Sequence, residues 1–231
     1  MLYLNGPVCR FPFNWLRKMK NTFLVLFGCA ILANPATLLA QQSPQPLIQG
    51  AMNECNAGRV TQDRTSRVGH FEKGQAMGER AVALDDRSAE AYFALFCNLG
   101  ELMRIDGEMN ITSVMGFRRM TKELDRTLEL APDHLDALSA KGTFLLRLPS
   151  LLGGDKEKGE KLLLYVLLKS PQSVNARLSL AKSYCADGRH SEALSLASEA
   201  LSLAQAQQLD DFAPEAAKVL TQLQANDAKA N

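Results

Sequence analysis

From residue 68 onward, apolar residues recur at i, i+3, i+4 and i+7 along the chain, without the long alternating runs that mark strands. That period places helices near 68–84, 88–104, 117–130, 134–147, 155–169, 173–187, 190–207 and 213–225, with an earlier one over 45–57. Ser88, Asp133, Asp155 and Ser173 stand at expected helix starts, where a side-chain oxygen can accept from a free backbone N–H. Pro132 and Pro171 close helices, and Gly153-Gly154 and Asp187-Gly188 make turns. The expected class is all-α, built from helical hairpins.

The hairpins repeat. Within 177–200, Leu180, Ala181, Tyr184, Gly188, Ala193 and Ala200 follow one another at the spacing of a tetratricopeptide repeat, and the segment resembles that family. Small residues at Ala181 and Ala193 allow two antiparallel helices to approach closely, and Tyr184 fills the gap beside them. Looser copies lie upstream. Gly142 and Leu145 match Gly159 and Val166, with Pro171 closing. Tyr92, Leu95 and Leu99 match Met120, Leu124 and Thr127, with Pro132 closing, and Gly74, Gly78 and Ala81 mark the earliest copy. The second-helix markers at 74, 120, 159 and 193 are 46, 39 and 34 residues apart, and only the last equals the standard repeat. Inserts of about 12 and 5 residues are therefore expected near 103–116 and 148–154. The terminal helix over 213–225 suits a cap on the stack.

The second insert carries a closer resemblance. Leu130-Ala131-Pro132-Asp133-His134 leads through Ala137, Leu138, Gly142 and Phe144 into Leu148-Pro149-Ser150-Leu151-Leu152-Gly153-Gly154-Asp155-Lys156. This resembles the T-component family of TRAP transporters and the related helical repeats of the regulator of microtubule dynamics family. Both have a Pro-x-x-x-Gly-Gly-Asp type loop between the helices of one expanded repeat. Pro149, Gly153, Gly154 and Asp155 are the loop residues here, and Gly159 stands where the repeat usually has alanine. The resemblance implies a tetratricopeptide-like superhelix with expanded repeats. It also implies a periplasmic protein that associates with a transporter's solute-binding protein.

The start of the chain reads as an address. A short basic stretch with Lys20 precedes the apolar run Phe23–Ala33, Asn34-Pro35 breaks it, and Ala40 precedes polar Gln41-Gln42. This is the layout of a secretory signal peptide cleaved after Ala40, and the run is about half the length that crosses a bilayer. An uncleaved anchor and acylation at Cys29 are the alternatives, and Met19 competes with Met1 as initiator. The expected organisation is an extension and signal peptide over 1–40, a helix and connector over 41–67, and the repeat domain over 68–231. Export would leave Cys55, Cys97 and Cys185, with no CxxC spacing. Buried thiols are the default for them, a Cys55–Cys97 bridge the alternative.

Charge changes the picture little. Net charge is +1 over the whole chain, but without residues 1–40 there are 22 basic and 25 acidic residues, a net of −3. A mildly acidic body of mixed sign argues against a nucleic-acid surface. The most basic stretch, Arg118, Arg119, Lys122 and Arg126, reads as a solvated face, as do the mixed charges of Glu72–Arg80 and Lys156–Lys161.

Chemistry is not expected. Gly153-Gly154-Asp155-Lys156 lacks P-loop spacing, and Asp155 would repel a phosphate. His70, His134 and His190 are scattered, with no HExxH, and no G-x-S-x-G occurs. The carboxylate pairs Asp85-Asp86 and Asp210-Asp211 fall at helix ends, as capping or solvated groups do. No enzyme activity, cofactor, metal or nucleic-acid partner is expected.

First helices line the concave face in the tetratricopeptide family. Registering on the repeats turns Glu90, Phe93, Cys97, Asp136, Ser139, Thr143, Asn175, Leu178 and Lys182 toward that groove. The expected function is therefore an exported, non-enzymatic protein-binding scaffold, docking a solute-binding protein as T-components do. A general envelope scaffold and a carrier of small apolar ligands are the alternatives. A membrane tether and self-association stay open.

Overall fold

A computed structural model describes residues 43–106 and 111–230, and the leader, anchor and acylation readings at 1–40 lie outside them. The described residues form nine α-helices and no strand. They are α1 Gln45–Val60, α2 Arg64–Leu84, α3 Ala89–Asp106, α4 Ile111–Leu130, α5 Leu135–Arg147, α6 Lys156–Lys169, α7 Val174–Ala186, α8 His190–Ala206 and α9 Ala213–Ala230. Four hairpins, α1–α2, α3–α4, α5–α6 and α7–α8, stack in chain order, and α9 covers the last. The expected all-α hairpin superhelix with a capping helix is the observed fold.

Local chemistry sets the helix starts. Ser88 Oγ accepts from the Ala91 N–H at 3.1 Å, Asp155 from Lys158 at 3.0 Å and Ser173 from Ala176 at 3.4 Å. The expected cap at Asp133 is corrected: His134 Nδ1 accepts from the Ala137 N–H, so α5 begins one residue later. Asp63 caps α2 at 2.8 Å through Ser66, which starts that helix at Arg64 and leaves only 61–63 to join α1 to α2. The connector expected within 41–67 is thus a tight turn, and α1 is a full arm of the first hairpin.

The two inserts are absorbed differently. The longer one lengthens helices: α3 runs to Asp106 and α4 starts at Ile111, with 107–110 outside the described residues. The shorter one is a 3-10 turn over Ser150–Leu152, latched by Gly154 N–H to Pro149 O at 3.0 Å and Asp155 N–H to Leu145 O at 2.9 Å. A Cβ on Gly154 would lie 1.8 Å from Leu148 O, so the latch admits glycine alone.

Packing divides into three clusters. Alanines dominate the C-terminal one: Ala181, Ala193, Ala197, Ala200, Ala204 and Ala216 are completely buried, with Leu163, Leu180 and Tyr184 filling between them. Gly159, the departure from the usual alanine, faces Gly142, where a Cβ would come 2.9 Å from the Gly142 carbonyl oxygen. The α5–α6 backbones therefore nearly touch. The joint between α4 and α5 is the opposite case, with the fewest close backbone approaches of any consecutive pair. Aromatic rings fill it: Phe144 meets Phe96 and Phe117, each at 6.1 Å between centroids, and Phe93 lies 4.6 Å from the His134 ring.

The default reading of the cysteines is corrected. Cys55 of α1 and Cys97 of α3 form a disulfide with Cα atoms 6.4 Å apart, within the ordinary range for a bridge. It joins the first two hairpins. Cys185 is a half-buried free thiol.

Candidate protein-binding groove

The curvature follows from which helices touch. First helices lie side by side in the pairs α1–α3, α5–α7 and α7–α9, whereas the second helices α2, α4, α6 and α8 make no comparable lateral approach to one another. A stack closed along one edge and splayed along the other bends toward the closed edge. The first helices therefore line the inner face.

The expected groove residues separate into three groups. Glu90, Asp136 and Lys182 are exposed, with Glu90 accepting from the Ser88 hydroxyl. Thr143 and Asn175 are half-buried and bind across the inner face: Asn175 donates to Ser139 Oγ at 2.9 Å, and Thr143 and Ser179 hydroxyls lie 2.8 Å apart. Cys97, Ser139 and Leu178 are corrected, because they are buried at 5%, 2% and 2% exposure. Adjacent first helices come so close that these positions become inter-helix packing. Phe93 is half-buried in the aromatic joint instead of facing open groove.

The loop residues build structure around the groove's end. Asp155 caps α6, Pro149 and Gly154 form the latch, and Gly153 takes a left-handed φ of 88°. The turn carries Leu151 outward at 98% exposure.

Charged side chains that the repeat register did not reach occupy the inner face. Arg59 of α1 donates through Nε to buried Glu101 of α3 at 2.8 Å and through Nη2 to Cys97 Sγ at 3.5 Å. Arg104 reaches the same Glu101 oxygen at 3.2 Å. Asp211, on the link between α8 and α9, comes within 3.6 Å of Arg59. Glu215, in the first turn of α9, pairs with Lys182 of α7. Burial pushes the Glu215 carboxyl up, but the Lys182 hydrogen bond and the charges of Lys182, Arg104 and Arg147 outweigh it, so the net shift is downward. A signal for two of these residues was present. Continuing the i+4 series beyond Cys97 reaches Glu101, and beyond Thr143 reaches Arg147.

Several polar groups elsewhere are committed locally. Arg119 pairs with Glu79, and Arg126 pairs with Glu129 beneath the Tyr92 ring, so the basic stretch of α4 is a mixed-sign surface. Tyr184 donates to Glu160 at 2.6 Å while the Arg189 guanidinium stacks on its ring at 3.4 Å. His70 Nδ1 lies 2.7 Å from Glu54. Among the described residues no three metal-ligating side chains gather, and no helix is long and apolar enough to cross a membrane.

No family model matches the chain. No curated protein matches it either. Solved structures do. TTC0263, a thermophilic TPR protein of Thermus thermophilus, is similar with a TM-score of 0.50 at 19% identity, over 77% of this chain and 99% of that one. MamA of AMB-1 gives 0.46 at 18% identity, over 82% and 95%. MamA 41-end from Desulfovibrio magneticus RS-1 gives 0.43 at 18%, over 78% and 96%. The likeness to the Thermus structure shows the fold, a tetratricopeptide-like helical superhelix.

Proposed function

We propose that this chain is a non-catalytic, protein-binding scaffold of the cell envelope, whose inner face docks a partner. The observation that carries it is the inner face itself. Charged side chains from the first helices α1, α3 and α7 and from the capping segment are joined there in ion pairs. A surface of that kind recognises a complementary chain, and helical stacks use their long inner faces that way. Export is supported by the basic-apolar-small start of the sequence together with the Cys55–Cys97 bridge, since disulfides persist in oxidising compartments. The finer reading is a partner of the solute-binding-protein class, as in TRAP T-components. It rests on the Pro149–Asp155 loop resemblance.

The test is crosslinking in intact cells of a C-terminally tagged full chain, with mass spectrometry of what is captured and of the mature N-terminus. A start at Gln41 with a TRAP-type solute-binding protein is expected. Several unrelated envelope proteins would replace the transport reading with a general scaffold. An unprocessed chain with only cytoplasmic partners would overturn export.

A further inference from the structure

Arg59, Arg104, Arg147 and Lys182 recur once per hairpin, each in the C-terminal half of a first helix. Arg59, Arg104 and Arg147 stand in the last turns of α1, α3 and α5, where a cation also complements the helix dipole. In this register the positions line up as a column at one end of the inner face, with α1 packed on α3 and α5 on α7. Two links mark the column's ends: Glu101 holds Arg59 and Arg104 together, and Glu215 pairs with Lys182, with the charges of Arg104 and Arg147 also felt at its carboxyl. Arg104, Arg147 and Lys182 are exposed, and among the described residues Arg147 has no ion pair.

The other end of the chain supplies the counter-charge. The segment Asp210-Asp211-Phe212-Ala213-Pro214-Glu215 spans from the end of the α8–α9 link into the first turn of α9. Asp211 reaches Arg59 on α1, and Glu215 reaches Lys182 on α7. The segment thus meets both ends of the column. Phe212 and Ala213 anchor the segment on the C-terminal core, while the Lys182–Glu215 pair, with the Glu215 side chain keeping 37% of its surface, is exposed enough to contribute little stability of its own.

From this arrangement we propose that the cation column is the recognition surface for an acidic segment of the protein partner, with Asp211 and Glu215 as its internal occupants. The partner's carboxylates displace them and take over Lys182 and Arg59, while Arg147 gains a direct ion pair. This deepens the protein-binding reading and rests on it. It names the partner's chemistry as a run of side-chain carboxylates spaced to meet successive hairpins.

The test is fluorescence anisotropy at low salt on the full chain with its disulfide intact. The probes are a fluorescein-labelled peptide carrying two copies of Asp-Asp-Phe-Ala-Pro-Glu and the same peptide with every acid converted to its amide. Asp211→Asn with Glu215→Gln is expected to tighten the acidic probe by about tenfold, the scale of two ion pairs released from competition. Arg147→Glu, at an exposed position that leaves the core untouched, is expected to weaken it by a similar factor. Steep loss with added salt should accompany binding. Equal binding of the amide probe, or no response to both variants, would overturn the proposal while leaving a groove that binds proteins. Failure of the cell crosslinking to recover any protein would remove the underlying reading, whatever the peptides do.

Discussion

The two halves of the stack solve the same packing problem with different materials. In α7–α9 the core is alanine on alanine, and the helices close evenly around Leu180 and Tyr184. In α1–α4 glycines leave hollows that larger side chains enter. Phe71 fills the space over Gly58, and buried Asn98 lies over Gly74, donating to Ala51 O at 3.0 Å and Ala94 O at 2.9 Å. A disulfide and the Arg59–Glu101–Arg104 cluster then bind the first two hairpins together. An evenly spaced repeat needs no crosslink, because each hairpin presents the next with the same surface. Hairpins of unequal length lose that regularity, and here polar and covalent ties stand beside it.

The sharpest way to break the contrast is Cys55→Ser. The bridge spans 42 residues, so its removal should cost about 4 kcal/mol by loop-closure entropy, read from urea unfolding of oxidised wild type against the variant. Hydrogen exchange should show the lost protection confined to α1–α4. Equal loss in α7–α9 would mean that the halves unfold as one unit and the comparison fails. Next in size is Ala197→Leu, which forces a larger side chain into the completely buried seam. An overpacking cost of about 1–3 kcal/mol is expected, with the melting temperature as readout, and a neutral result would show that the alanine seam has slack.

Asp155→Ala removes the cap of α6 and should cost about 1 kcal/mol, whereas Asp155→Asn should recover most of it. Circular dichroism melts of the two variants decide whether the loop aspartate acts through capping alone. The smallest effect separates the halves by pH. Glu215 titrates below its ordinary value of 4.5, so its contribution is present at neutral pH and fades as pH falls through the depressed value. Glu123 of α4 is raised above 4.5, chiefly by burial. Its ionised form opposes folding at neutral pH, and that penalty is relieved as pH falls through the raised value. Glu123→Gln should therefore gain stability at pH 7 and Glu215→Gln lose it, each by less than about 1 kcal/mol. Unfolding midpoints between acid and neutral pH, moving the same way for both variants, would contradict this assignment.

Much of the architecture was legible in local chemistry. The existence and order of the helices, the in-phase markers and the caps at Ser88, Asp155 and Ser173 depend on neighbours within a few residues and appear where the pattern puts them, whereas α2 and α4 begin four and six residues earlier than expected. The groove was legible only in outline. Its register fell on first helices, but could not tell a position facing open space from one pressed against the next helix. Ser139 and Leu178 fell on the wrong side of that distinction. Arg59 and Asp211 carried no sequence signal for one another, since nothing local relates α1 to the α8–α9 link.

What the sequence by itself determined is the set of helices, their pairing and the order of the stack, because periodicity, capping and turn chemistry act between near neighbours. The tertiary structure decided the Cys55–Cys97 bridge, the burial of Ser139 and Leu178, and the meeting of the cation column with Asp211 and Glu215. Those depend on how far each hairpin is rotated against the last. That rotation accumulates from side-chain volumes at every interface, from the Phe144 joint to the Gly142–Gly159 contact, and no single segment of the chain encodes it.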